Sequence, residues 1–114
     1  LKELFADAYQ KMAAWSREEE LAFLHRILPR YADQAMVLTL GAVTAEKLTD
    51  QDRQDLIEAF PQLQLAKETL AQEAGFILSF GKVDASYLYR DLVDAVREEQ
   101  SFHMAASIFK EEKN

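Results

Sequence analysis

The stretch from Gly75 to Tyr87 constrains the fold more than any other part of the chain. Gly75-Phe-Ile-Leu-Ser-Phe80 is dense in residues that suit a pleated, half-buried strand. Gly81-Lys82 follows, and a glycine in the first central position fits a two-residue hairpin turn. Val83-Asp-Ala-Ser-Tyr87 then returns antiparallel, with Val83, Ala85 and Tyr87 on one face because side chains alternate along a strand. The fold therefore contains a sheet that ends in an antiparallel hairpin.

The flanking sequence reads mainly as helix. Leu1, Leu4, Phe5, Ala8, Met12 and Trp15 step by three and four and form one helical stripe. No capping residue precedes it, so this helix is expected to continue upstream. Ser16 and Glu19 have the spacing of a capping box, opening a second helix through Leu21, Leu24, Ile27 and Leu28 that ends near Pro29 to Tyr31. Met36-Val-Leu-Thr-Leu40 is a short buried strand closed by Gly41. Residues 44–60 favour helix, with Thr49 and Asp52 as a cap inside it. A short turn at 44–48 is thus expected before a main helix that groups Leu56, Ile57 and Phe60 and stops at Pro61. Gln62-Leu-Gln-Leu65 alternates as a strand, while residues 66–74 have helix-favouring composition but little length. Ser86 is expected to cap a last helix running to about Phe109, with Leu88, Leu92, Ala95, Val96, Phe102, Ala106 and Phe109 as its stripe.

This order predicts an α+β domain: a small mixed sheet of about four strands ending in the hairpin and covered by helices, with the N-terminal helix projecting from the domain. The chain's 114 residues fit one compact domain, divided into a helix end over 1–15 and a globular part over 16–114. Twenty acidic against 13 basic residues give a net charge of −7, which disfavours nucleic acid and anionic lipid as partners. A basic or apolar protein surface suits such a chain better, and solubility alone also explains the charge. With no cysteine, disulfides, thiolate metal sites and thiol catalysis are excluded. Apolar runs fall far short of the roughly 20 residues a membrane span needs. Lys2, Glu3 and Asp7 interrupt any apolar core a signal peptide would require.

Candidate catalytic groups are sparse. His25 and His103 lie beside apolar stripes and read as packed or surface histidines. No serine sits in a Gly-x-Ser-x-Gly elbow. Asp50, Asp52 and Asp55 suggest a calcium loop, but its sixth and twelfth positions hold Asp55 and Pro61 where Gly and Glu are needed. Acids there are explained by the helix dipole. Glu18, Glu19 and Glu20 are consecutive, so on a helix they point in different directions, and a solvated first turn accounts for them. Gly41, Gly75 and Gly81 are too scattered for a phosphate loop. The aromatic residues are not interleaved with basic ones, which makes core packing their expected role. No catalytic, cofactor-binding or metal-binding residue is assigned, and the chain is expected not to be an enzyme. The remaining candidate is the stripe of Leu1, Leu4, Phe5, Ala8 and Met12, which either packs on its own domain or faces a partner helix. It is too short to fix a heptad or an eleven-residue period.

Residues 75–87, followed by Leu88-Tyr-Arg-Asp-Leu-Val-Asp-Ala-Val-Arg-Glu-Glu and a terminal Ile108-Phe109, resemble the C-terminal head of the E-type subunit from the peripheral stalk of V/A-type rotary ATPases. In that family a Gly-led apolar strand turns through a short polar hairpin into a strand ending in a small polar residue. A long charged helix then closes the chain with a Leu-Phe-like pair. At residue level the likeness covers about residues 74–109. A single Gly75 follows Ala74 where a glycine pair is common, and residues 83–86 lack the asparagine often found there. The resemblance implies a cytoplasmic, non-catalytic stator component, peripheral to the membrane and without a cofactor, in a complex coupling ATP to proton or sodium transport. Its N-terminal helix would pair with the G- or H-type stalk subunit as a coiled coil, and its head would bind the B-type subunit of the catalytic hexamer. The alternative is a small soluble ligand-binding or regulatory α+β domain, which would need a deep apolar pocket with convergent polar groups. An unrecognised hydrolase would need a cleft carboxylate with a strongly raised pKa.

Overall fold

A computed structural model describes the backbone of residues 2–112 and the side chains of residues 4–100. Leu1 and the side chains of Phe102, His103, Ala106, Ile108 and Phe109 therefore lie outside the described residues. The chain runs α1 (Lys2–Ala13), α2 (Arg17–Ile27), a 3-10 turn (Leu28–Tyr31), β1 (Met36–Leu40), α3 (Ala42–Ala45), α4 (Asp50–Ala59), β2 (Leu63–Leu65), β3 (Gly75–Phe80), β4 (Val83–Leu88) and α5 (Tyr89–Glu112). The four strands make one mixed sheet in the order β2-β1-β3-β4. β1 and β2 are parallel, whereas β3 is antiparallel to both β1 and β4.

The expected hairpin forms in the expected register, with Phe80 opposite Val83 and Gly75 opposite Leu88. Two glycines make it possible. Gly81 turns the chain at φ +58, a conformation that costs an L residue through its Cβ. Gly75 has φ +104, and a Cβ there would collide with the Tyr87 carbonyl across the hairpin.

Period-two alternation sorts the sheet into two faces. Met36, Leu38, Leu40, Leu63, Phe76 and Leu78 point to the side covered by α2, the 3-10 turn and α4. There they join Leu24, Ile27, Leu28, Leu56 and Phe60 in the core. Val37, Thr39, Ile77, Ser79, Asp84 and Ser86 share the opposite face and are half-buried or exposed. The antiparallel pairs of this mixed sheet tolerate such an arrangement, with one face packed and the other wet.

Capping chemistry sets the helix starts. The Ser16 hydroxyl accepts the Glu19 N–H at 3.2 Å, and the Glu19 carboxylate accepts the Ser16 N–H at 3.0 Å. Thr49 and Asp52 repeat the box at α4, at 3.0 and 2.9 Å. The short turn expected at 44–48 starts two residues earlier, as α3. The reason lies in residues 66–74, which are neither helix nor regular strand and run beside β1. Leu70 and Glu73 offer carbonyls to the N–H groups of Ala42 and Val43, so the first amides of α3 are satisfied from outside the helix. Gln72, at φ 64, breaks any helical run in this segment.

The last helix starts directly from β4. Ser86 is not its cap: its hydroxyl accepts the Leu88 N–H at 3.3 Å and donates to Asp91. The Tyr89 N–H is instead taken by the Ala74 carbonyl at 2.9 Å. The 24 residues of α5 give a rod of about 36 Å. α1 leaves the layered body in company with α5.

Candidate protein-interaction site

α1 carries its apolar residues on one side, and that side meets the first turns of α5. The pair is antiparallel. Trp15, just past the end of α1, packs on Tyr89 at the start of α5, with ring centroids 5.2 Å apart. Farther out, Phe5 and Val93 line the same seam. The seam has two unlike flanks. On one, Leu4, Phe5, Ala8 and Met12 face Leu92, Val93 and Val96 across an open groove of about 370 Å³ lined by apolar side chains. On the other, Ala6, Tyr9 and Gln10 meet Arg90, Asp94 and Arg97, where Arg97 pairs with Asp94 at 2.6 Å and Arg90 with Glu73 at 2.9 Å.

The structure divides the expected interface residues. Phe5 is 9% exposed and packs within its own chain, whereas Leu4 is 62% exposed. Ala8 and Met12 are half-buried on the groove wall. Leu1 lies outside the described residues. Trp15 packs in the body, on Phe23 as well as Tyr89. The stripe thus packs on its own chain through Phe5 and leaves Leu4 to solvent.

Sequence reasoning missed the far wall. Leu92 and Val96 belong to the expected stripe of the last helix and Val93 does not, and a final helix is expected to bury such a stripe. Leu88 is buried, Leu92 half-buried, and Ala95 and Val96 are exposed. The apolar character thus persists beyond the point where the body stops covering it.

The three consecutive glutamates do not form one solvated turn. Glu18 and Glu19 are exposed, but Glu20 is fully buried beside Leu24 and Ile27. The Tyr89 hydroxyl donates to Glu20 Oε1 at 3.0 Å, and Lys47 Nζ stands 3.7 Å from the same oxygen. Burial and the facing carboxylate push the Tyr89 phenol well above its ordinary range. The helix dipole is likewise an incomplete account of Asp52, which is 4% exposed and receives Arg17 through two guanidinium N–H groups. These bonds and the Thr49 N–H hold the Asp52 carboxyl well below the usual carboxylate range. This pair ties the start of α2 to the start of α4.

Other sequence candidates are dispersed. His25 is exposed beside Phe60, with rings 5.9 Å apart, and His103 lies outside the described residues. Asp50 is exposed, and Asp55 accepts from Gln51 at 2.8 Å. Among the described residues no three His, Asp or Glu side chains are grouped closely enough to hold a metal ion, and no helix is long and apolar enough to cross a membrane. Compared with known protein families, curated proteins and solved structures, the chain matches none.

Proposed function

We propose that the chain is a non-catalytic protein-binding domain, the head and final stalk turns of a peripheral-stalk component of the E type in a V/A-type ATPase. In this reading it works in the cytoplasm, peripheral to the membrane, as part of a stator that resists rotor torque during ion transport. The groove between α1 and α5 receives a helix of the G- or H-type stalk subunit, and the head docks on the B-type subunit of the catalytic hexamer.

The carrying observation is the one-sided seam. Leu4 and Val96 stand exposed at the rim of a groove walled by Ala8, Met12 and Leu92, on helices that leave the body together. An apolar helix stripe laid there would turn a two-helix contact into a three-helix one, burying surface that neither helix covers alone. The likeness of residues 74–109 to the family's hairpin and helix supplies the identity of the partner. A small-molecule site would be expected to add convergent polar groups to its apolar wall, whereas the residues lining this groove are all apolar.

The test is co-elution of the chain with a purified G- or H-type stalk subunit, measured for the unaltered protein and for Leu4→Asp and Val96→Asp. A complex weakened at least tenfold by either charge supports the reading. Absence of a complex, or one indifferent to both substitutions, overturns it.

A further inference from the structure

Glu20 sits at a junction that the binding surface does not explain. It is fully buried, and its Oε2 has no hydrogen-bond partner among the described residues. A buried carboxylate is costly unless it is well paired. Its Oε1 is shared by two elements: the Tyr89 hydroxyl, from the first turn of α5, donates at 3.0 Å, and Lys47 Nζ, from the turn after α3, lies at 3.7 Å. Lys47 in turn donates to the carbonyls of Ala13 at 2.8 Å and Trp15 at 2.7 Å. These carbonyls close the end of α1, where helical C=O groups lack intrahelical partners and the dipole favours a cation. Lys47 is therefore clasped between the end of α1 and a buried carboxylate that also holds the base of α5.

We propose that Glu20, Lys47 and Tyr89 form a latch that fixes α1 against α5, and that its release lets α1 swing away and opens the apolar seam. Two features make the closed state releasable. The seam is open to solvent along both flanks, so it does not by itself bind α1 as a core helix is bound. The unmet Oε2 lowers the worth of the closed arrangement, because a carboxylate has room for several donors and opening would let water supply them. The latch concerns how α1 is held and stands independently of the partner proposed above.

The chain has no cysteine, so nitroxide labels at Lys11→Cys on α1 and Glu58→Cys on α4, both exposed positions, report arm position without interference. Electron–electron distance measurements should give one narrow distribution in the otherwise unaltered protein. Lys47→Met should broaden it or add a second population. It should also speed amide exchange at Ala14 and Trp15 by about tenfold or more, as loss of a charge-assisted hydrogen bond implies. Exchange at Ile77 and Leu78 in β3 should stay unchanged, separating release of the arm from general destabilisation. Tyr89→Phe, which keeps the ring and removes the donor, should shift both readouts in the same direction and serves as the test should Lys47→Met not fold. A folded variant with unchanged distances and unchanged exchange at 14–15 overturns the latch, as does acceleration equal in β3 and at the arm.

Discussion

Truncating Phe5 and Leu4 separately tests whether α1 has one face for its own chain and another for a partner. Phe5 is 9% exposed and Leu4 62% exposed, although they are sequence neighbours on one helix. A buried Phe side chain contributes about 1.5–3 kcal/mol through the apolar area it removes from water. Taking about 2 kcal/mol for Phe5→Ala, the population in which α1 is detached should rise about thirtyfold. With little more than a third of its surface covered, Leu4 contributes at most about 0.8 kcal/mol, or about fourfold. Because α1 packs mainly on α5, detachment is a local opening, and a global melting curve would under-report it. Amide exchange followed by NMR at residues 8–11, referenced to β3, reads it directly. The expected result is strong acceleration for Phe5→Ala, slight acceleration for Leu4→Ala, and loss of partner capture for Leu4→Ala despite an intact arm. Equal acceleration for the two, or none for Phe5→Ala, would refute the division of the helix into two faces.

The hairpin glycines should differ sharply. Gly81→Ala meets nothing within 4 Å and pays mainly for its left-handed backbone, about 1 kcal/mol, or about 4 °C in melting temperature for a chain of this size. Gly75→Ala adds a backbone collision with Tyr87 and should cost more than about 3 kcal/mol in chemical denaturation. Asp52 has a depressed folded pKa, so its contribution to stability is present above the unfolded carboxylate value of about 3.9 and is lost as pH falls below it. Melting temperatures from pH 6 downward, over a window of about four units, should fall less steeply for Asp52→Asn than for the unaltered chain. Tyr89 has a raised folded pKa, so its contribution is present below the unfolded phenol value of about 10 and lost as pH rises beyond it. Ultraviolet titration should show that Tyr89→Phe removes a phenol ionising well above the ordinary range.

Periodicity and capping chemistry made most of the fold legible. The alternation in 62–65 and 75–87, the boxes at Ser16 and Thr49, and the breaks at Pro29 and Pro61 are local signals, and local geometry obeyed them. Apart from Ser86, whose hydroxyl is taken up locally by Leu88 and Asp91, the unread features share one cause. Glu20, Thr44 and Asp52 are polar residues buried by contacts from distant parts of the chain. Thr44, for example, accepts the Gly75 N–H at 2.7 Å across 31 positions. A signal was present in two cases, since Glu20 lies four residues before Leu24 and Asp52 four before Leu56, on the buried sides of their helices. A charged residue on an apolar stripe predicts a buried partner. Its identity, Tyr89 for one and Arg17 for the other, could not be read without the fold. The start of α3 failed for the same reason, because its first amides are satisfied by a loop roughly thirty residues away.

The seam and the latch together restrict how any partner helix can approach. The flank carrying Arg90, Asp94 and Arg97 holds an ion pair between Arg97 and Asp94, so covering it would desolvate charges. The flank rimmed by Leu4 and Val96 offers the opposite balance. Under the proposed reading, a partner helix would lay its apolar stripe in the groove with its polar face outward. Given the chain's net charge of −7, basic residues bordering that stripe would speed encounter without entering the contact, and the rate enhancement should fade as salt rises. The latch adds an order of events. If the proposed latch holds the end of α1, the spacing of α1 and α5 is fixed while it is closed, which would favour a partner helix with small residues at its centre. Once the latch opens, α1 can re-space around bulkier side chains. Partner helices with small or with large central residues should therefore respond differently to Lys47→Met, the small ones losing affinity and the large ones gaining it. An equal effect on both would mean that the latch does not control the groove.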